Sequence, residues 1–148
     1  MYQNDNGNQL PILGLLTSQQ LRDALMQSIV SEATAIDFYT RLLKEAPNRL
    51  HSQFIQDALD DETSHLNNFE CLYYQYFGMK PQYQIEPIQY PSYKDGILMA
   101  LQDELRAAGF YRDIQLSVKD PLVRDIFYLP MVDELEHATQ YSTLYNQL

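Results

Sequence analysis

The chain has 148 residues, 45% of them hydrophobic, a formal net charge of -10 and a single cysteine. That length and composition suit one domain with a sizeable core and exclude a disordered chain. The acidity opposes nucleic acid and anionic membrane surfaces as partners, though not cations. Cys71 alone builds neither a disulfide framework nor a four-cysteine metal module, so no Fe–S or rubredoxin-type centre is expected.

Residues 1–16 read as an N-terminal extension, rich in Asn and Gln and then apolar from Leu10 to Leu16, that packs outside a domain spanning 17–148. The apolar run is too short for a membrane span and no Lys or Arg precedes it, which makes a poor signal peptide; a cytoplasmic location is expected. Thr17-x-x-Gln20 has the form of a capping box that opens a first helix. Leu21, Leu25, Ile29 or Ser28, Glu32, Ile36, Tyr39 and Leu43 then recur at helical steps, which places a carboxylate in the middle of a buried stripe. Pro47-Asn48 marks a short turn.

A second helix is predicted from about Arg49 to Phe77, with Phe54, Ala58, Glu62, His65 or Leu66, Phe69 and Leu72 or Tyr73 on one face and Gly78 as its stop. Residues 78–92 hold three prolines and two tyrosines, with Tyr93 next. They are too many for a tight link between antiparallel neighbours and read as a crossover along the domain, although Tyr83 to Tyr90 has some strand character. Ser92 can cap a third helix with the stripe Ile97, Leu101, Glu104, Ala108, Tyr111 and Gln115 or Leu116. Gly96 and Gly109 weaken that helix in isolation, and Gly109 is expected to admit a close neighbour. Asp120-Pro121 opens a fourth helix that carries Val123, Ile126 or Phe127, Pro130, Glu134, His137, Tyr141 and Leu144. Pro130 removes a donor one turn before Glu134, where a kink or widening is expected. The fold class is therefore all-α: an up-down-down-up four-helix bundle with a long crossover between helices two and three.

A shift of 72 residues lays the chain on itself. Glu32 falls on Glu104, Phe38-Tyr39 on Phe110-Tyr111, Asp61-Glu62 on Asp133-Glu134, His65 on His137, Phe69 on Tyr141 and Leu72 on Leu144. Each half offers a Glu from one helix and a Glu-x-x-His from the next, and residues three apart on a helix point to one place. Two half-sites facing each other would gather Glu32, Glu62, His65, Glu104, Glu134 and His137. Two divalent ions would offset the four carboxylates, and oxygen and imidazole donors suit iron or manganese better than structural zinc. The bland alternative, buried polar groups that satisfy one another, leaves six convergent groups at high cost. His51 has no partner at ligand spacing and is expected at the surface or in a cap. Cys71 is expected in the core or at its boundary. Asp61, Asp133 and Glu136 are expected in solvent or just behind the ligands.

At these residues the chain resembles the ferritin-like superfamily, in particular rubrerythrin-like and bacterioferritin-type di-iron proteins. The resemblance covers about residues 17–147. It implies that Glu62 and Glu134 bridge two Fe ions, with Glu32 and His65 completing one and Glu104 and His137 the other, manganese being compatible with the same set. It also implies that Tyr39 and Tyr111 stand beside the ligands as candidate catalytic side chains. The expected activity is reduction of hydrogen peroxide or dioxygen, as a peroxidase or ferroxidase supplied by an external electron donor. Rubrerythrins add a glutamate where this chain has Ala107, which puts their redox-linked ligand exchange in doubt. The chain stops after the fourth helix and so lacks the fifth helix of cage-forming ferritins, and no haem is implied. The alternatives are a non-enzymatic assembly protein with a metal staple and an iron-storage protein. A homodimer is expected, through the tyrosine-rich crossover and the apolar leader.

Overall fold

The computed structural model describes residues 14–148. Four helices follow one another: α1 (Ser18–Glu45), α2 (Arg49–Phe77), α3 (Tyr93–Gln115) and α4 (Pro121–Tyr145). Each begins at a side chain that accepts from an otherwise unpaired backbone amide. Thr17 and Gln20 form the reciprocal capping box of α1, Asn48 caps α2, Ser92 caps α3, and Asp120 caps α4 with Pro121 behind it. Gly78 ends α2 in the left-handed region at φ 69°, where glycine is strain-free. α4 runs from Pro121 to Tyr145 with Pro130 buried inside it.

Helix direction follows from the core. One cluster joins Leu25 and Ile29 near the start of α1 to Phe69 and Leu72 late in α2, Tyr111 late in α3, and Val123 and Phe127 early in α4. The other joins Phe38 and Leu42 late in α1 to Ile55 early in α2, Ile97 early in α3, and Tyr141 and Leu144 late in α4. α1 and α4 therefore run one way and α2 and α3 the other. α1 packs on α2 and α3, and α4 packs on α3 and α2, so every neighbouring pair is antiparallel. This is the up-down-down-up bundle. Each fully buried Leu, Ile or Phe contributes about 2 kcal/mol to holding it.

The crossover travels from one cluster to the other: Tyr83 packs on the first, Ile88 and Tyr90 on the second. Hydroxyl groups pin it, Tyr83 donating to Glu70 at 2.9 Å and Tyr90 to Glu45 at 2.6 Å. No strand forms there. Three core positions move by one residue from the expected stripes: Ile55, Leu42 and Ala100 are buried in place of Phe54, Leu43 and Leu101. The close approach expected at Gly109 occurs instead at Gly96, where a Cβ would meet Leu42 at 2.6 Å and the Tyr90 ring at 3.1 Å; nothing lies within 4 Å of one at Gly109. Cys71 is exposed, a correction to its expected core position. Most of the expected extension, 1–13, lies outside the described residues; within them, Leu16 packs on the first cluster. Among the described residues no helix is long and apolar enough to cross a membrane.

Candidate metal centre

The two core clusters are separated by a polar layer at mid-bundle. It contains Glu32 on α1, Glu62 and His65 on α2, Glu104 on α3, and Glu134 and His137 on α4, all six at most 2% exposed. They come together as two overlapping groups whose donor atoms lie within 4.8 Å of one another: Glu32, Glu62, His65 and Glu134, and Glu62, Glu104, Glu134 and His137. Glu62 and Glu134 belong to both.

Their oxygens divide between the two histidines. His65 Nδ1 lies 3.4 Å from Glu62 Oε2, 3.4 Å from Glu134 Oε1 and 3.8 Å from Glu32 Oε2. His137 Nδ1 lies 3.4 Å from Glu62 Oε1, 3.3 Å from Glu134 Oε2 and 3.6 Å from Glu104 Oε1. These are the separations of donors that share one ion at about 2.1 Å. Each side thus has one imidazole, one carboxylate of its own and one oxygen from each shared carboxylate.

The surrounding bonds cross between the halves. The Tyr39 hydroxyl donates to Glu104 Oε1 at 2.5 Å, and the Tyr111 hydroxyl donates to Glu32 Oε1. His65 Nε2 bonds Asp133 Oδ2, and His137 Nε2 bonds Asp61 Oδ2, each at 2.9 Å. An aspartate on Nε2 fixes the ring and leaves Nδ1 facing the carboxylates, as histidine ligands require. Asp61 and Asp133 therefore stand behind the ligands, while Glu136 is exposed.

The electrostatics are those of crowded anions in a dry interior. Burial, then the charge of Glu62, drives the Glu32 carboxyl well above its usual range; burial, then Glu134 and Glu62, does the same to Glu104. Burial also raises Glu134, but bonds from Glu104, His137 and His65 outweigh it and hold the carboxyl low. Burial disfavours charge on both imidazoles, yet three carboxylates facing each one raise them far above the ordinary histidine value. Burial and neighbouring carboxylates likewise raise the Tyr39 and Tyr111 hydroxyls, which stay protonated as donors. Divalent cations held among these groups would offset the same crowded negative charge.

The residues fit such a pair of ions. Four carboxylates match two divalent charges, every donor is oxygen or nitrogen, and the buried Glu134 Oε1 accepts no hydrogen bond. His51 is a correction: it is 1% exposed, with Nδ1 bonded to the Tyr93 hydroxyl at 2.8 Å. The signal was present, since His51, Ile55, Ala58, Glu62 and His65 continue one helical stripe. Tyr141, which sequence reasoning did not single out for the site, packs its ring 5.2 Å from that of Tyr39, and its buried hydroxyl has no partner.

No protein-family model and no curated protein matches the sequence. Solved structures do share its fold. A two-domain protein from Anabaena variabilis, with DJ-1/ThiJ/PfpI-like and ferritin-like domains, is 17% identical with a TM-score of 0.72, covering 90% of this chain and 38% of its own. This chain thus spans well under half of that protein. A conserved hypothetical protein from Mycobacterium tuberculosis is 14% identical with a TM-score of 0.74, covering 89% of this chain and 95% of its own. A hypothetical protein from Pyrococcus furiosus is 23% identical with a TM-score of 0.73, covering 85% and 88%. These likenesses show the fold, an all-helical bundle, and the buried Glu and His groups within it could hold metal ions.

Proposed function

We propose that the chain is a non-haem di-iron oxidoreductase, rubrerythrin-like or of ferroxidase type, that reduces hydrogen peroxide or dioxygen. The observation that carries this reading is the division of Glu62 and Glu134, one oxygen toward each histidine, which would let both carboxylates serve two ions at once. Glu32 and His65 would hold one ion, Glu104 and His137 the other. When bound, a ferrous pair supplies two electrons, one from each iron.

The protein's own groups prepare that chemistry. Tyr39 and Tyr111 hold Glu104 and Glu32 in place, each with a proton at its hydroxyl, and Asp61 and Asp133 orient the imidazoles. The two core clusters above and below the layer keep bulk water from its ends. An external donor that returns the electrons is part of the proposal.

The test is elemental analysis of the purified protein followed by rapid mixing of its diferrous form with each oxidant. About two ions per chain and fast oxidation by peroxide or dioxygen support the reading. A metal-loaded protein inert to both refutes it. That second outcome fits a metal-stapled assembly protein, a reading favoured by the apolar outer face of α4, where Leu122, Tyr128, Leu129, Val132 and Leu135 are all exposed. A homodimer through this face is part of the proposal, in preference to the crossover, whose Tyr83 and Tyr90 are tied to Glu70 and Glu45. Sedimentation of wild type and Leu129→Glu decides it: a dimer lost in the variant supports that interface.

A further inference from the structure

α1 and α3 touch less closely than any other neighbouring pair, and between them a groove of about 370 Å³ descends to the carboxylate layer. Its floor is Glu32, Glu62, Glu104 and Glu134. Its apolar lining is Ala35 and Phe38 of α1, Ala107 and Phe110 of α3, and Ile88 of the crossover, and polar side chains of α1 and α3, among them Gln27, Ser31, Thr34 and Asp103, line the rest. Apart from Ile88 the apolar lining is duplicated: Glu32-x-x-Ala35-x-x-Phe38-Tyr39 recurs as Glu104-x-x-Ala107-x-x-Phe110-Tyr111. The repeat that places Glu32 and Glu104 also places an alanine one turn beyond each, and both alanines line the groove. A longer side chain at either position would reach into it.

The groove is far larger than hydrogen peroxide needs. A water occupies about 30 Å³ in the liquid, so a molecule with two oxygens takes roughly a sixth of the space. The volume falls in the range of about 300 to 1,000 Å³ typical of small organic ligands. Phe38, Phe110, Ile88 and the two alanine methyls give an apolar group a surface to bury against, which a wholly polar molecule would leave unused. An anionic occupant finds no free cation in the lining, because its one basic residue, Arg106, is engaged by Asp103. Glu134 Oε1, buried and without a hydrogen bond, lies on a residue of the floor.

We propose that the groove binds a neutral organic hydroperoxide, R–O–O–H, with its O–O end toward the carboxylate layer and an apolar R group of about six to ten heavy atoms between Phe38 and Phe110. This rests on the oxidoreductase reading and names its substrate class. The reduction breaks the O–O bond, consumes two electrons and two protons from solvent, and releases R–OH and water; a bound ferrous pair would supply the electrons. An external reductant restores both electrons.

Binding is tested apart from turnover by methyl NMR titration of zinc-loaded and metal-free protein with cumyl alcohol, the stable product of cumene hydroperoxide. Shifts confined to the methyls of Ala35, Ala107 and Ile88 are expected, weakened at least tenfold in Ala107→Phe and partly in the milder Ala107→Leu. Helical circular dichroism and metal content should match wild type. In the ferrous protein, Ala107→Phe should slow cumene hydroperoxide at least tenfold and hydrogen peroxide less than threefold. Shifts that are absent or scattered over the surface overturn the proposal, as does equal slowing of both peroxides. A protein that binds cumyl alcohol in the groove but oxidises with neither peroxide would retain the binding site and refute the redox reading on which its substrate class depends.

Discussion

The first hairpin, α1 with α2, and the second, α3 with α4, present the same Glu, Glu and His to the polar layer in the same order, yet their surroundings differ. Beside Tyr111 stand the rings of Phe69 and Phe127, at 5.4 and 5.9 Å; beside Tyr39 stands Tyr141, with an unpartnered hydroxyl where the first half has only the Phe69 ring. Asp133, which serves His65, is 22% exposed, while Asp61, which serves His137, is 49% exposed. The outer face of α2 is polar, with Gln53, Asp57, Asp60, Ser64 and Asn68 in solvent, whereas that of α4 is lined with leucines. The difference teaches that the ligand geometry constrains only the residues that build it. One bond further out, each half has taken its own course.

Breaking the equivalence at the shared carboxylates should have the largest effect. Glu62→Ala or Glu134→Ala removes an oxygen from both sides, so metal content should fall from about two ions per chain to near zero. Glu32→Ala or Glu104→Ala should leave about one. Elemental analysis distinguishes them, and a bridging variant that keeps one tight ion contradicts the shared geometry. The crossed tyrosines come next: Tyr39→Phe and Tyr111→Phe should each weaken metal binding about tenfold and to equal extents, measured by competition with a chelator. The aspartates should be unequal. Asp133→Asn is expected to cost about tenfold in affinity, and Asp61→Asn less, because water can better replace the more exposed partner.

Sharpening the symmetry instead gives smaller effects. Tyr141→Phe removes an unsatisfied buried hydroxyl and should raise stability by about 1 kcal/mol, whereas Phe69→Tyr should lower it by a similar amount. Chemical denaturation of metal-free protein compares them, and a destabilised Tyr141→Phe would show that the hydroxyl has a partner. The smallest effect concerns His51, the buried histidine outside the centre. Burial lowers its imidazole from the usual 6.5, against an opposing contact with Gln147, so the unfolded chain binds the proton more readily. Its contribution is complete above pH 6.5 and is lost as pH falls through the lowered folded value. His51→Gln should therefore lose less stability than wild type between pH 6.5 and the acid limb of the profile.

Much of the bundle was legible because helix caps and helical stripes are local signals. Thr17, Ser92, Asp120 and Gly78 each act where the sequence places them. The convergence of Glu32, Glu62, His65, Glu104, Glu134 and His137 was legible because the repeat states the half-site twice. Periodicity could not choose between adjacent residues such as Phe54 and Ile55, since both lie near the edge of the same stripe. Nor could it show that Tyr39 reaches Glu104, on the other hairpin, when Glu32 sits two turns away on its own helix. That bond depends on helix packing, which no local pattern encodes. The groove was hidden for a related reason: Ala107 reads as a missing ligand, and only the neighbouring helix turns the absence into space.

The crossed bonds have a consequence for how the centre fills. An ion settled between His65 and Glu32 would fix Glu62 and Glu134, whose other oxygens belong to its neighbour, and would steady the Glu32 carboxylate that Tyr111 holds from the far hairpin. The first arrival thus performs part of the ordering that the second would otherwise require. Singly loaded chains would be scarce at every metal concentration, and a population of this protein would divide into empty and full molecules, passing from one to the other over a narrow range of supply.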